Sequence, residues 1–391
     1  MGWIRSAVAC AAALAVMLTA TAAASARPQH RHGQPRLACT GDPAQIHSLS
    51  LTIPKGQATT GLHDHVGSTD SGIYALPSSR PKGIVVFAHG HDNTPEGAWE
   101  THLRQTAEQD HVIAVAMDYY DPTPPNPLPA GVGTDEYGWR VSEGADFSVT
   151  AARAFDAACH PRTIAMYGVS MGGETAGLAV AERAKRANGR PLFDYLFDIE
   201  GVANVLETYY EAQATSNYAQ GEIEEETGGT PQQDPTAYEQ RDLVTRAGDI
   251  AASGIRGVVV VQAADDGLVP YDQNREFVSQ LVADGVPVDY FTVGMRGKID
   301  TANPNPLNLT DNPGCSDPNS CQTTLDGYVT GYVPGFTSPF AGHGWEGSNT
   351  QPVIMTGFAR LTALFDQGQH PVGYHEYFAD PNTGIVPLAG S

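Results

Sequence analysis

Six stretches of this chain are almost continuously apolar, and they decide most of what it can fold into. They are GIVVFAHG at Gly83–Gly90, HVIAVAMDYY at His111–Tyr120, TIAMYGVS at Thr163–Ser170, FDYLFDIEGV at Phe193–Val202, GVVVVQAADD at Gly257–Asp266 and VPVDYFTVG at Val286–Gly294. A strand with one wet face alternates polar and apolar residues; these do not, so both faces must be covered. Helical patterns stand between them. Ser142–Ala158 carries Ala145, Val149, Ala152 and Phe155 at helical spacing, and Gln273–Ala283 and Pro352–Phe365 follow. Strand and helix in alternation predict a mostly parallel central α/β sheet with helices on both faces. Weaker runs at Ile46–Ile53 and Gly72–Leu76 suit an antiparallel start, and Val286–Gly294 is expected to close the sheet.

The first 26 residues read as a removable export signal. Arg5 precedes an alanine-rich apolar stretch, and Ala24-Ser25-Ala26 is a small-x-small cleavage site. The mature chain is therefore expected to be secreted, with an N-terminal arm over 27–45, one catalytic domain over 46–391 and no membrane anchor. A formal net charge of −22 disfavours nucleic acid and anionic membranes as partners; a monomer is expected. Four cysteines follow residue 26, enough for two disulfides in an exported protein, with three connectivities open. Cys315 and Cys321 share one loop, which leaves Cys39 to join Cys159.

Two segments break the alternation. Residues 204–238 are polar and acidic, with GEIEEETGGTPQQDP inside them, and both a lid and a solvated acidic excursion fit. Residues 295–340 form a loop rich in Asn, Pro, Gly and Thr, long enough to be functional if ordered.

The chemistry centres on YGVSMGGE, Tyr167–Glu174, where Ser170 ends a strand and begins a small-residue helix. Small flanking residues let strand and helix approach closely, so the serine is presented on a tight turn. Glu174, in the first helical turn, fits a favourable interaction with the helix dipole. A hydroxyl needs a base, and His343 in FAGHGWEG stands between two glycines, ahead of the C-terminal helix; His370 and His375 are weaker alternatives. Asp266, ending QAADD, is the acid to orient that imidazole, with Asp265 as the alternative. The N–H of Met171, at the helix start, and that of His91, in the loop HGHDN, are the candidate oxyanion donors. Zinc ligation by His89, His91 and Asp92 competes for that loop, although spacing identifies no further ligand. Asp92, Asn93, Tyr119, Tyr120 and Trp345 fall on loops at the active edge and are candidate substrate contacts.

The segments FAHGHDN, YGVSMGGE, QAADDGLVP and AGHGW together resemble the α/β-hydrolase superfamily, over about residues 45–370. Within it, PTAYEQRDLV, DDGLVPYDQNREFVSQLVADGVPVDYFTVG and GHGW look like the dienelactone-hydrolase and prolyl-oligopeptidase branch. The resemblance implies an α/β-hydrolase fold with lid-like insertions, a Ser170–Asp266–His343 triad and no cofactor. No propeller is expected before the domain. The leading expectation is a secreted serine hydrolase that cleaves carboxylic esters, small or polymeric. The alternatives are a peptidase or amidase, an acyltransferase, and a non-catalytic binding protein on the same fold.

Overall fold

The computed structural model describes residues 37–56, 65–121, 124–129, 132–215, 217–263, 266, 269, 271–293, 322–323, 329–330, 343, 352–380 and 384–388. Eight strands come first in the chain: β1 (Ile46–Thr52), β2 (Thr69–Ala75), β3 (Gly83–Ala88), β4 (Ile113–Met117), β5 (Thr163–Val169), β6 (Tyr195–Ile199), β7 (Gly257–Ala263) and β8 (Val288–Val293). Two further strands, β9 (Gln322–Thr323) and β10 (Val329–Thr330), pair only with each other. The last two, β11 (Tyr374–Asp380) and β12 (Gly384–Pro387), join the main sheet, whose order is β1-β2-β4-β3-β5-β6-β7-β8-β11-β12. From β4 to β11 all neighbours are parallel, while β1, β2 and β12 pair antiparallel.

The sheet therefore does not close at Val293. Tyr374 pairs in parallel with Val288, and β12 caps the edge as an antiparallel strand. The mixed polar and aromatic residues of β11 and the brief β12 lack the apolar run that marks the central strands.

Period-2 alternation divides every central strand between two cores. Ile84, Val86, Ile164, Met166, Val258 and Val260 face one side; Val85, Phe87, Ala165, Tyr167, Val259 and Val261 face the other. The first side is covered by α2 (Val141–Cys159), α3 (Met171–Ala181), α7 (Leu243–Ala252) and α8 (Tyr271–Ala283), through residues such as Phe147, Leu178, Ile250 and Phe277. The second is covered by α1 (Pro95–Gln109) and α9 (Pro352–Gln367), through Trp99, Leu103, Leu361 and Leu364. Apolar residues on both faces of each strand are what this arrangement requires.

The insertion folds as α4 (Val205–Thr215), α5 (Ala219–Thr227) and α6 (Pro235–Arg241). Asp234 and Pro235 start α6 by side-chain capping, with Asp234 Oδ1 accepting from Ala237 N at 3.0 Å. A solvated excursion does not describe the acidic run of α5. Glu222 and Glu226 are buried, and Glu226 accepts from Ser142 of α2 and Arg241 of α6.

At the far end of α2, Cys159 is joined to Cys39 by a disulfide, as the cysteine count suggested. Cys315 and Cys321 lie outside the described residues. No helix among the described residues is long and apolar enough to cross a membrane.

Candidate active site

The strand order reverses at β3, which lies between β4 and β5. Loops leaving the carboxyl ends of β3 and β5 run to opposite faces there and open a crevice, the place where open α/β sheets bind ligands. Ser170 stands on the β5 side of that crevice.

Its backbone has φ 58° and ψ −128°, a conformation L-residues avoid. Three backbone bonds hold it: Ser170 N to Ile199 O at 3.1 Å, and Gly173 N and Val202 N to Ser170 O at 2.8 and 3.1 Å. Two glycines make the turn sterically feasible. A Cβ on Gly168 would collide with the Gly172 carbonyl, and one on Gly172 would lie 2.6 Å from His89 O. The second contact also shows how closely the start of α3 packs on the loop after β3.

Ser170, Asp266 and His343, distant in sequence, form one hydrogen-bonded relay. His343 Nε2 lies 2.8 Å from Ser170 Oγ, and its Nδ1 lies 2.8 Å from Asp266 Oδ2. A carboxylate can only accept, so Nδ1 carries the proton and Nε2 is left to accept from the hydroxyl. All three side chains are buried. The alternative histidines stand elsewhere: His375, on β11, faces Asp289, and His370 contacts its neighbour Pro371 O. Asp265 lies outside the described residues.

Asp266 is itself held in place. Its Oδ1 accepts from Val269 N at 2.8 Å and its Oδ2 from Gln262 Nε2 at 3.0 Å. Asn274 on α8 donates to Gln262 Oε1 at 2.5 Å and to Gly201 O at 3.0 Å. Gln262 and Asn274 carry no motif; Gln262 is simply the polar residue inside an apolar strand. Glu200, in the left-handed region at φ 49°, is fully buried, and one of its oxygens lies within 4.8 Å of ligand atoms of both Asp266 and His343. A glutamate ending the run FDYLFDIE was the available signal.

Met171 is the first residue of α3, so its N–H has no acceptor within the helix and points from the positive end of the dipole. His91 lies in the loop after β3; its side chain bonds to Glu222 of α5 and packs between Trp139 and Tyr218, each ring centroid 5.4 Å away. The zinc grouping drawn from sequence does not assemble. His89 stacks on Tyr119 at 3.9 Å and faces Asp118, apart from the His91–Asp92 pair.

Among the candidate substrate contacts, Tyr119 is corrected. It is 1% exposed and its hydroxyl donates to His89 O at 2.6 Å, so it supports the loop from behind. Asn93 Oδ1 accepts from Thr94 N at 3.0 Å at the start of α1, and Asp92 accepts from Tyr218. Tyr120 is partly exposed, and Trp345 lies outside the described residues. Glu174 does stand in the first turn of α3, where a helix-dipole role was expected, but away from solvent. It is fully buried, accepts from Trp139 Nε1 at 3.0 Å, and burial pushes its pKa well up.

Residues 142–297 match the prolyl oligopeptidase family, a span that holds Ser170 and Asp266 and stops short of His343. No curated protein matches the chain at a significant level. Among solved structures it is similar to dipeptidyl peptidase 4 of Porphyromonas gingivalis, at 15% identity and TM-score 0.43, over 63% of this chain and 31% of that one. It is also similar to a puromycin-hydrolyzing peptidase of Mycobacterium tuberculosis, at 17% identity and TM-score 0.43, over 63% and 35%. A third is the acylaminoacyl peptidase of Pyrococcus horikoshii, at 16% identity and TM-score 0.42, over 62% and 38%. The matched region thus amounts to about a third of each of those chains. Residues 142–297 match the prolyl oligopeptidase family, and the described residues form an α/β-hydrolase fold that carries a buried Ser170–His343–Asp266 relay.

Proposed function

We propose that this chain is a serine peptidase or amidase that cleaves an acyl–nitrogen bond through an acyl-enzyme on Ser170. The observation that carries the reading is the Ser170–His343–Asp266 relay, two of whose members lie in the span that matches a peptidase family. That match moves the reading from the carboxylic ester expected from sequence to the amide.

His343 Nε2 takes the Ser170 proton as Oγ attacks the carbonyl carbon, and Asp266 holds the resulting imidazolium. The tetrahedral oxyanion is met by the N–H of Met171, with the His91 amide as second donor. Nε2 then passes its proton to the departing nitrogen, which is the step an amide needs and an activated ester does not. Water, deprotonated by the same imidazole, releases the acid and restores the serine. The Cys39–Cys159 disulfide and the leader-like residues 1–26 support action outside the cytoplasm.

Activated esters react with almost any serine triad, so they do not discriminate. The test is hydrolysis of aminoacyl and short peptidyl p-nitroanilides, free and blocked at the N-terminus. Turnover that disappears in Ser170→Ala supports the peptidase reading. Turnover confined to p-nitrophenyl esters across the panel would return the chain to the esterases.

A further inference from the structure

The acidic helix α5 meets the loop after β3 in a cluster that the relay does not use. His91 Nε2 bonds to the Glu222 carboxylate and lies 3.5 Å from Asp92 Oδ1. One ligand atom from each of His91, Asp92 and Glu222 lies within 4.8 Å of the others. The Tyr218 hydroxyl donates to the second oxygen of Asp92 and so adds a fourth donor at the rim. We propose that His91, Asp92 and Glu222, with Tyr218 beside them, form a binding site for a divalent transition metal, Zn²⁺ by its donor set, which ties α5 to the β3–α1 loop.

A second observation supports a ligand here. Glu222 is 1% exposed, and its Oε1 has no hydrogen-bond partner among the described residues, although Oε2 of the same carboxylate faces His91. A buried carboxylate oxygen left without a donor is costly, and a cation bound to that carboxylate removes the cost.

Carboxylates crowd the tyrosines beside the site. Glu222, Glu225 and Asp121 act on Tyr137, whose pKa is pushed up to about 12 by burial and then by these carboxylates. Asp92, Glu222 and Glu136 act in the same way on Tyr218, where burial again contributes most. Arg140 is in electrostatic range of Glu225, and Glu143 already engages it through bonds of 3.2 and 2.6 Å. Carboxylates of Glu225, Asp121 and Glu136 thus lie in electrostatic range of the tyrosines beside the cluster.

The donors choose the metal. One imidazole nitrogen with two or three oxygens suits Zn²⁺, whereas Ca²⁺ takes six to eight oxygens. The Trp139 and Tyr218 rings pack on the imidazole and limit its orientations. Metal binding requires neutral His91, so affinity falls in acid. The site would fix α5 over the loop that presents the His91 amide, and GEIEEET would supply a ligand rather than a solvated face.

The proposal is tested by titrating the chelator-treated full chain with Zn²⁺ in a calorimeter and with Co²⁺ by visible absorption. One tight equivalent is expected, with the Co²⁺ band displaced by Zn²⁺. Loss of an outer-shell partner typically weakens a metal site about 10–100-fold, so Glu222→Gln and Asp92→Asn should each weaken it by about 100-fold or more. Asp92 is exposed and its amide variant threatens no core, which keeps the test valid if Glu222→Gln folds poorly. Absence of a stoichiometric Co²⁺ site in the parent chain would overturn the proposal. So would a site whose affinity is unchanged in Asp92→Asn, because that metal would lie at Glu200, Asp266 and His343 instead. Neither readout depends on which bond Ser170 cleaves.

Discussion

Arg241 Nε donates to Glu226 Oε1 at 3.0 Å, with both side chains out of solvent and one on each of two helices of the insertion. The same guanidinium donates to the backbone carbonyls of Glu226 and Ala237 at 2.6 and 3.0 Å. The insertion is thereby fastened to itself and, through Ser142, to α2. Arg241→Ala would strand the Glu226 carboxylate and is expected to cost about 3–5 kcal/mol. The double replacement Arg241→Met with Glu226→Leu should cost much less, since it removes both charges. Urea unfolding of the three proteins measures this, and equal losses in the single and double variants would contradict it.

The relay predicts non-additive losses. Ser170→Ala and His343→Ala are each expected to lower kcat by roughly 10⁴–10⁶, with the double variant no worse than the weaker single one. Asp266→Asn should cost about 10⁴, because an amide can present its N–H₂ to Nδ1 and favour the wrong tautomer. Steady-state rates on a responsive chromogenic substrate, with circular dichroism to show folding, decide the matter. Multiplying losses would mean the three do not act as one unit.

Much of this was legible in the chain because it depends on local pattern. Ser170 declares itself through a strand that ends in small residues, and the central strands through apolar runs that only a doubly covered sheet needs. What escaped depends on distance in space. The strand β11, next to the edge strand β12, carries mixed residues because that outer neighbour buries little, so period-2 apolarity never marks it. Gln262 has meaning only once Asp266 folds back on it, and Glu222 only once α5 reaches His91. GEIEEET left a lid and a solvated excursion equally open for the same reason: composition cannot say that a carboxylate will meet an arginine or an imidazole.

The disulfide predicts a stability loss that leaves the relay alone. Cys39–Cys159 closes a loop across 120 residues and ties the segment before β1 to the end of α2. Crosslinks of that span typically contribute about 2–5 kcal/mol, chiefly by restricting the unfolded chain. Replacing both cysteines by serine should lower the urea midpoint accordingly while kcat at low temperature stays near the parent value. An unchanged midpoint would show that the unfolded chain gains nothing from release of the loop.

Asp198 gives a pH dependence whose sign is fixed. It sits fully buried on β6, and burial raises its pKa from 3.8 to about 7 against the opposing pull of the Gly201 N–H. Below about pH 4 the carboxyl is protonated in folded and unfolded chains alike, so it has no effect on their balance. Between pH 4 and 7 the unfolded chain ionises first, and the native state, which binds more protons, loses stability as pH rises. Above pH 7 the loss is complete, with a ceiling of about 4 kcal/mol from the size of the shift. Asp198→Asn removes the ionisation and keeps the shape. After the burial cost of its own amide, it should be more stable than the parent by about 1–2 kcal/mol at pH 8. That advantage should shrink or reverse at pH 5. Other acids whose pKa burial raises, such as the half-buried Asp70 and the buried Asp242, titrate in both proteins and cancel in the difference. Urea melts of the two proteins at pH 5 and pH 8 make the comparison, and a difference that does not change with pH would show that Asp198 folds already ionised.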